Sequence, residues 1–516
     1  MPSEGSVRRP ARRKWPVILG VAILGAMVVL IELDVHLSPL SRKWATHALE
    51  EHYRCQIELK SFQVSLFPHI HVVGEDLVLK SRDSTEKLPL AVIRRFNFDE
   101  SWPELLSHPR RLKRLQLEGF VLNIPPRREK GSQPEKKRHR LPPFTLGEII
   151  ADGTVLSILP RTPGKLPHIF AISRLRLKSA GRGQAMSFQA TLTNPKPIGE
   201  VQSTGTFGPW NPDDPGLTPV AGSYTFRNAD LSTIHGIAGI LSSHGKYGGV
   251  LSRIRVQGET DTPDFAVGIS GNPVHLKTQF TAVVDGTNGD TMLRPVEATF
   301  LHSTIVARGG VLRTTGVKGK TILLDVSADQ ARIEDLLRLA VKSSKPLITG
   351  AVSLKTKFDL PPGERDVAQR LMLDGGFTIQ SARFTTLNVQ QKLESLSRKG
   401  QGVQASDNSG SSVFNMRGRF VLKGGIVTFS SLSFSVPGAS VQLHGHYGLI
   451  SENLDFHGTL RLEAKLSQMT TGIKSLLLKA VDPLFTRKGA GTVLPIKITG
   501  TKDQPSFGLD LSKLIK

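Results

Sequence analysis

The chain has 516 residues, with 67 Lys plus Arg against 44 Asp plus Glu, a formal charge of +23. Hydrophobic residues make up 39% and charged residues 22%, which excludes both a disordered chain and a polytopic membrane protein. The single cysteine, Cys55, excludes an intrachain disulfide and a thiolate metal cluster, and four Tyr with four Trp are too few for a stacking platform on single-stranded nucleic acid.

The N-terminus carries the strongest signal. Arg8, Arg9, Arg12, Arg13 and Lys14 precede an uncharged apolar run from Trp15 to Ile31, which ends at Glu32 and Asp34. At ~1.5 Å per residue the run would reach about 25 Å as a helix, the lower end of a membrane span. A transmembrane anchor is predicted over residues 15–35, behind a basic cytoplasmic tail of residues 1–14. A cleaved signal peptide begins in the same way, but Glu32-Leu33-Asp34-Val35-His36-Leu37 offers no small-x-small cleavage site. Positive charge resists translocation, so the chain beyond the anchor is placed outside the inner membrane, as a single-span protein.

Residues 36–125 read as a helix followed by strands. Leu40, Trp44, Ala48 and Leu49 have helical spacing in Pro39–Tyr53. Phe62, Val64 and Leu66 then alternate with polar residues, as do Leu115, Leu117, Gly119 and Val121, while Val72-Val73 and Leu77-Val78-Leu79 flank Gly74. Period two between Gly and Pro predicts half-buried strands in an antiparallel meander. A short helical piece is predicted at Ser101–Leu106, with Pro103 in its first turn. Residues 126–142 hold seven Lys or Arg and two Glu with no apolar period, which predicts a flexible basic insertion. Its Arg127, Arg128, Lys136, Lys137, Arg138 and Arg140 are candidates for contact with anionic lipid headgroups or lipopolysaccharide phosphates. A solvated insertion between two strands is the plainer reading.

Residues 143–396 form a β-rich middle region; from Leu141 to about residue 360 the chain cycles strand, Gly, strand, and the pattern returns beyond residue 412. Gly205, Gly222, Gly309, Gly418, Gly445 and Gly458 each sit inside an alternating run. Glycine in such a place marks a bulge, a bend or a close backbone approach, and its loose recurrence predicts one coiled, curved sheet. Residues 397–412 are rich in Ser and Gly and read as a linker before a C-terminal region, 413–516. The cleanest alternation is Leu454–Leu466. Leu454, Phe456, Leu460, Leu462 and Leu466 share one face and are candidates for lining an apolar groove; an ordinary core fits the same pattern. Helices are predicted at Gln330–Lys342, through the 230s (Leu231, Ile234, Ile237, Ala238, Leu241) and at Leu466–Phe485. Two strands, Val493–Thr499 and Phe507–Leu511, close the chain.

Motifs for chemistry are scarce. His69-x-His71 and His444-x-His446 could each offer two imidazoles from one strand face, but no Cys or suitably spaced carboxylate accompanies them. Asp213-Asp214 reads as a solvent-exposed turn. Gly245-Lys-Tyr-Gly248-Gly249 lacks the setting of a phosphate loop, and no Gly-x-Ser-x-Gly or His-Glu-x-x-His occurs. The expectation is a non-enzymatic protein with no catalytic, cofactor-binding or metal-binding residues.

Both ends resemble a known family. The basic-flanked anchor, Phe62-x-Val64-x-Leu66, Gly74-x-x-Leu77-x-Leu79 and Leu112-x-x-Leu115-x-Leu117-x-Gly119 look like the start of AsmA-like proteins. Leu432-Ser-Phe-Ser-Val-Pro-Gly-Ala439, Val441-x-Leu443-x-Gly445-x-Tyr447 and Leu454-Asp-Phe456-x-Gly458 resemble that family's C-terminal region. The resemblance implies a mainly β fold: a long twisted antiparallel sheet with an apolar groove and few short helices, similar to bridge-like lipid-transfer proteins. It implies a place in the inner membrane of a diderm bacterium, with the bulk of the chain in the periplasm. The implied role is lipid transport in outer-membrane biogenesis, with phospholipid or another envelope lipid, the inner membrane, and an envelope protein or oligomer as partners, and no nucleic acid. The alternative is an envelope assembly factor that affects outer-membrane proteins without carrying lipid. The basic insertion and the modest length depart from the family pattern.

Overall fold

The computed structural model describes residues 55–65, 69–81, 89–101, 110–124, 144–159, 167–181, 185–211, 214–342, 345–385, 414–463 and 492–510, apart from positions 315, 318 and 347. The predicted anchor over 15–35, the helices at 39–53 and 466–485, residues 102–106, the basic segment 126–142 and the linker 397–412 lie outside the described residues. Among the described residues no helix is long and apolar enough to cross a membrane. They are mainly β, with 27 strands and two α-helices, and divide into two compact units.

The first unit is built from β1 (Cys55–Glu58), β2 (Ser61–Ser65), β3 (Ile70–Ser81), β4 (Ala91–Glu100), β5 (Arg110–Glu118), β6 (Val121–Ile124), β7 (Phe144–Asp152), β8 (Thr154–Ile158) and β9 (His168–Gly181). β1 and β2 both pair antiparallel with β3, and β3 pairs with β4. β5 and β6 then run in turn along β4, broken at Gly119, whose φ of 60° turns the chain. β7 lies parallel to β5, from Arg110 opposite Phe144 to Glu118 opposite Asp152, and antiparallel to β9. The sheet is therefore mixed and not wholly antiparallel as the alternation predicted. A parallel neighbour requires the chain to return to the starting end, which takes about a dozen residues or more. The stretch that joins Ile124 to Phe144 contains the basic segment, so its length has a topological reason.

β10 (Met186–Pro195) and β11 (Ile198–Phe207) lead onward in the chain. The second unit is an antiparallel meander of β12 (Pro219–Asp230), β14 (Ile240–Val250), β15 (Arg253–Val267), β16 (Val274–Val284), β17 (Thr291–Phe300), β18 (Ser303–Leu312), β19 (Thr321–Arg332), β20 (Ile348–Leu360), β21 (Met372–Phe384), β22 (Phe414–Lys423), β23 (Ile426–Val436), β24 (Ala439–Gly448), β25 (Asn453–Leu462), β26 (Thr492–Thr501) and β27 (Pro505–Leu509). Each pairs with the next in this order. The 397–412 segment joins two directly paired strands, β21 and β22, so it connects neighbours within one sheet.

Two sequence expectations need correction here. The 230s do not form a helix. Asp230 caps a single 3-10 turn, Leu231–Thr233, and Gly236 and Gly239, at φ of 95° and 126°, then flank the short β13 (Ile237–Ala238), which pairs with β15. The turn at Asp214 is not exposed: its carboxylate is buried and accepts from Gly216 N at 3.1 Å, while Asp213 lies outside the described residues. The predicted helix near 330–342 is present as α1 (Ile333–Ala340). Its buried Asp335 accepts from His302 N (2.9 Å) and Ser303 Oγ (2.8 Å), pinning the helix to the β17–β18 turn. Ile333, Leu336 and Leu337 pack against a core cluster that includes Ala328, Ala331, Val352, Ile379 and Ala382 and extends along the sheet to Leu462 on β25. The second helix, α2 (Val367–Arg370), is a single turn before β21.

A repeated device turns small side chains into buried positions along the sheet. Asn228, Gln330 and Ser381 all have φ near 50–57°, each at a register shift of its strand. Each is followed by an alanine, Ala229, Ala331 or Ala382, that is at most 1% exposed. An extra residue in the left-handed region bends the strand and re-aims the next side chain inward. A small side chain fits where the bent strand approaches its cover.

Candidate functional site

The pairing register gathers the inward positions of the second unit into rows that cross the strands. One row runs from Tyr224 through Phe280, Val296, Ala307 and Val326 to Phe420, Phe429, Phe456, Ile498 and Phe507, with Gly245, Gly258, Thr356, Gly375 and Gly445 between them. A neighbouring row carries Tyr247, Val256, Ala282, Leu293, Leu324, Phe358, Leu373, Leu422, Val427, Tyr447 and Leu454. Neither row contains a charged residue. Fifteen strands at ~4.8 Å spacing give the first row a reach on the order of 67 Å. Of its fifteen members only Thr356 and Phe456 are buried; the rest are half-buried or, at Phe507, exposed. A close-packed core would bury most of them. The face is apolar along its length without being filled.

Glycines and aromatic rings shape this face together. A Cβ on Gly458 would lie 1.9 Å from the Gln442 carbonyl oxygen, and one on Gly245 would lie 2.4 Å from that of Gln257. Neighbouring strands bend into the space a side chain would need, as the Gly-in-strand pattern predicts. Rings then lie over the gaps. Tyr224 spans Gly245 and Gly258, and Phe377 covers Gly418. Phe377, Phe420, Phe429 and Phe456 form a chain of ring contacts with centroids 5.7–6.4 Å apart.

The groove candidates read from sequence separate into different settings. Leu454 and Leu460 are half-buried, and Phe456 is 7% exposed, within a cluster with Val441 and Leu443. Leu462 is fully buried at the β25 end of the core cluster, so it packs protein and faces no groove. β25 ends at Leu462, and the next residue, Glu463, donates its N–H to Gly438 O at 3.0 Å. Leu466 lies outside the described residues. So do Arg127, Arg128, Lys136, Lys137, Arg138 and Arg140.

The histidine pairs stay apart. His71 contacts Asp99 on β4 at the surface, with His69 on the preceding turn. His444 faces His457 across β24–β25, ring centroids 6.4 Å apart, while His457 lies 2.9 Å from Asp510 Oδ2 and 3.1 Å from Asp455 Oδ1. Among the described residues no group of three or more His, Cys, Asp or Glu is arranged to hold a metal ion. The opposite, polar face holds a hollow on β20–β25, with Lys355, Arg417 and Arg419, that the sequence reading did not single out. Only the strand pairing brings those residues together.

Three of the four tyrosines belong to the apolar face, and burial pushes the phenols of Tyr224, Tyr247 and Tyr447 up from their ordinary range. Hydrogen bonds to Ser243 (3.1 Å) and Ser203 (2.7 Å) oppose this at Tyr224 and Tyr247. Tyr447, with Glu452 and Asp503 adding to its burial, is pushed up to about 12. A folded-state value above the unfolded one gives stability that is complete below about pH 10 and is lost as pH rises through the folded value. Spectrophotometric titration is expected to show these three phenols ionising late, with unfolding above pH 10. Ionisation of all four near pH 10 in the folded protein would contradict this packing.

Comparison with known proteins adds no identity: no family model, curated protein or solved structure matches the chain.

Proposed function

We propose that this chain is an inner-membrane-anchored, non-enzymatic protein of the bacterial envelope that binds and transfers lipid, with acyl chains lying along the apolar face of the second unit. The observation that carries this reading is the pair of uncharged rows crossing fifteen strands, half-buried where an ordinary core would be closed. Acyl chains and such a face share the same driving force, on the order of 25 cal/mol per Å² of apolar surface removed from water. The basic tail and apolar run of residues 1–35 supply the anchor, and the strand patterns that resemble AsmA-like proteins agree with a periplasmic role in outer-membrane biogenesis. A row of about 67 Å is short for bridging two membranes alone, so an envelope protein, a second copy or a shuttling step completes the path.

The test is extraction of lipid from the full-length protein purified in mild detergent. Phospholipid in amounts comparable to the protein, retained through washing, is the expected result. Protein free of lipid but active in envelope assembly would favour the alternative role.

The basic segment gives a separate prediction. If it meets anionic headgroups, neutralising Arg127, Arg128, Lys136, Lys137, Arg138 and Arg140 weakens binding to anionic vesicles by up to about 1 kcal/mol per residue. Added salt has the same effect on the parent protein. Equal binding by the variant at low salt would leave the segment as a solvated connection.

A further inference from the structure

The polar face of the second unit carries a hollow of about 840 Å³, on the side of the sheet away from the apolar rows. Two backbone features create it. On β21, Gly376 stands between Lys355 of β20 and Arg419 of β22 in the pairing register, and leaves the space between those side chains empty. On β23, the register against both neighbours shifts at Ser430–Ser431, a bulge that turns both serines to the polar side.

The chemistry of the wall is specific. Lys355, Arg417 and Arg419 bring three cations against one carboxylate, Asp329. None of the three forms an ion pair among the described residues, whereas Arg176 and Arg114 on other strands and Lys502 after β26 each meet an acid. Arg417 is oriented by its Nε–H, which donates to Ser433 Oγ at 3.3 Å. Hydroxyl and amide groups of Ser353, Thr378, Ser431, Gln442 and Thr459 and the His444 imidazole complete the wall. A second hollow on the same face, of about 690 Å³, has Glu259 and Glu297 beside Lys246 and so lacks the excess of cations.

We propose that the β20–β25 hollow binds a phosphate-bearing sugar or polyol. The guanidinium groups match a phosphate through paired N–H donors, and the hydroxyl-lined wall suits the polyol. The volume exceeds what a bare phosphate needs. The phosphate can belong to a soluble sugar phosphate or to a lipid headgroup held from outside. Because this site and the acyl-chain face lie on opposite sides of the sheet, either can fail alone.

The experiment is calorimetric titration of the full-length detergent-solubilised protein with glucose 6-phosphate, inorganic phosphate and glucose. In parallel, binding to phosphatidylglycerol and phosphatidylcholine vesicles is measured. Three variants are compared with the parent: Arg417→Gln with Arg419→Gln, Ser431→Phe to fill the hollow with its charges intact, and Lys423→Gln as an equal loss of charge on the same strand outside the hollow. Glucose 6-phosphate is expected to bind more tightly than phosphate, and glucose not at all. Affinity falls about tenfold or more in the double Arg variant and in Ser431→Phe, but less than about twofold in Lys423→Gln. Hollow-dependent binding of phosphatidylglycerol vesicles without binding of glucose 6-phosphate would assign the phosphate to a lipid headgroup. Three results would overturn the proposal: no hollow-dependent binding of any probe, equal loss in Lys423→Gln, or equal affinity for phosphate and its sugar ester.

Discussion

Gly458→Val is expected to lower the unfolding free energy by about 3 kcal/mol, read as a drop in the urea midpoint. The added Cβ would lie 1.9 Å from Gln442 O and 2.9 Å from Leu443 Cα, so β24 and β25 must part to admit it. Their separation would open the cluster of Val441, Leu443 and Phe456, which spans the same two strands. Gly248→Ala is the matched control. Its Cβ would meet only Ala221 Cβ, at 3.7 Å, and its effect is expected to stay within about 0.5 kcal/mol. Equal effects at the two positions would mean that the strands do not approach as closely as described.

The second large effect distinguishes a core position from a face position two residues away on β25. Leu462 is wholly buried at the β25 end of the core cluster, so Leu462→Asp places an unpaired carboxylate where water cannot reach. That costs several kcal/mol of a total usually near 5–15, and the second unit is expected not to fold. Leu460 is half-buried on the apolar face, where a longer Glu can carry its charge to water. Leu460→Glu is expected to keep a cooperative thermal transition and to lose bound phospholipid. A Leu460→Glu protein that folds and retains its full lipid would remove this strand from the lipid path.

Much of this architecture was legible in the residues. Period-two runs such as Leu454–Leu462 located strands, and glycines inside them marked where one strand crowds the next, because both signals are local. The stripe of Ile333, Leu336 and Leu337 located α1 for the same reason. What failed was set by pairing. The parallel alignment of β5 with β7 depends on a return connection, and nothing within either strand encodes it. The bulges at Asn228, Gln330 and Ser381 use residues other than glycine in the left-handed region, so the sequence carries no glycine to announce them. Leu462 and Leu460 have the same parity in sequence, yet only Leu462 is fully buried, a distinction made by tertiary packing. The cation-lined hollow is assembled from β20, β22 and a bulge on β23, with no sequence motif of its own.

The most direct test of the central claim is photo-crosslinking from within the sheet in cells. Benzoylphenylalanine is placed at Phe280 or Phe420, on the uncharged row, and at Thr428, which points to the polar side of β23. Illumination of the full-length protein, followed by mass spectrometry, reads lipid adducts at each position. The account predicts lipid adducts from Phe280 and Phe420 and none above background from Thr428. Absence of adducts from both row positions, or equal yields from all three, would contradict it.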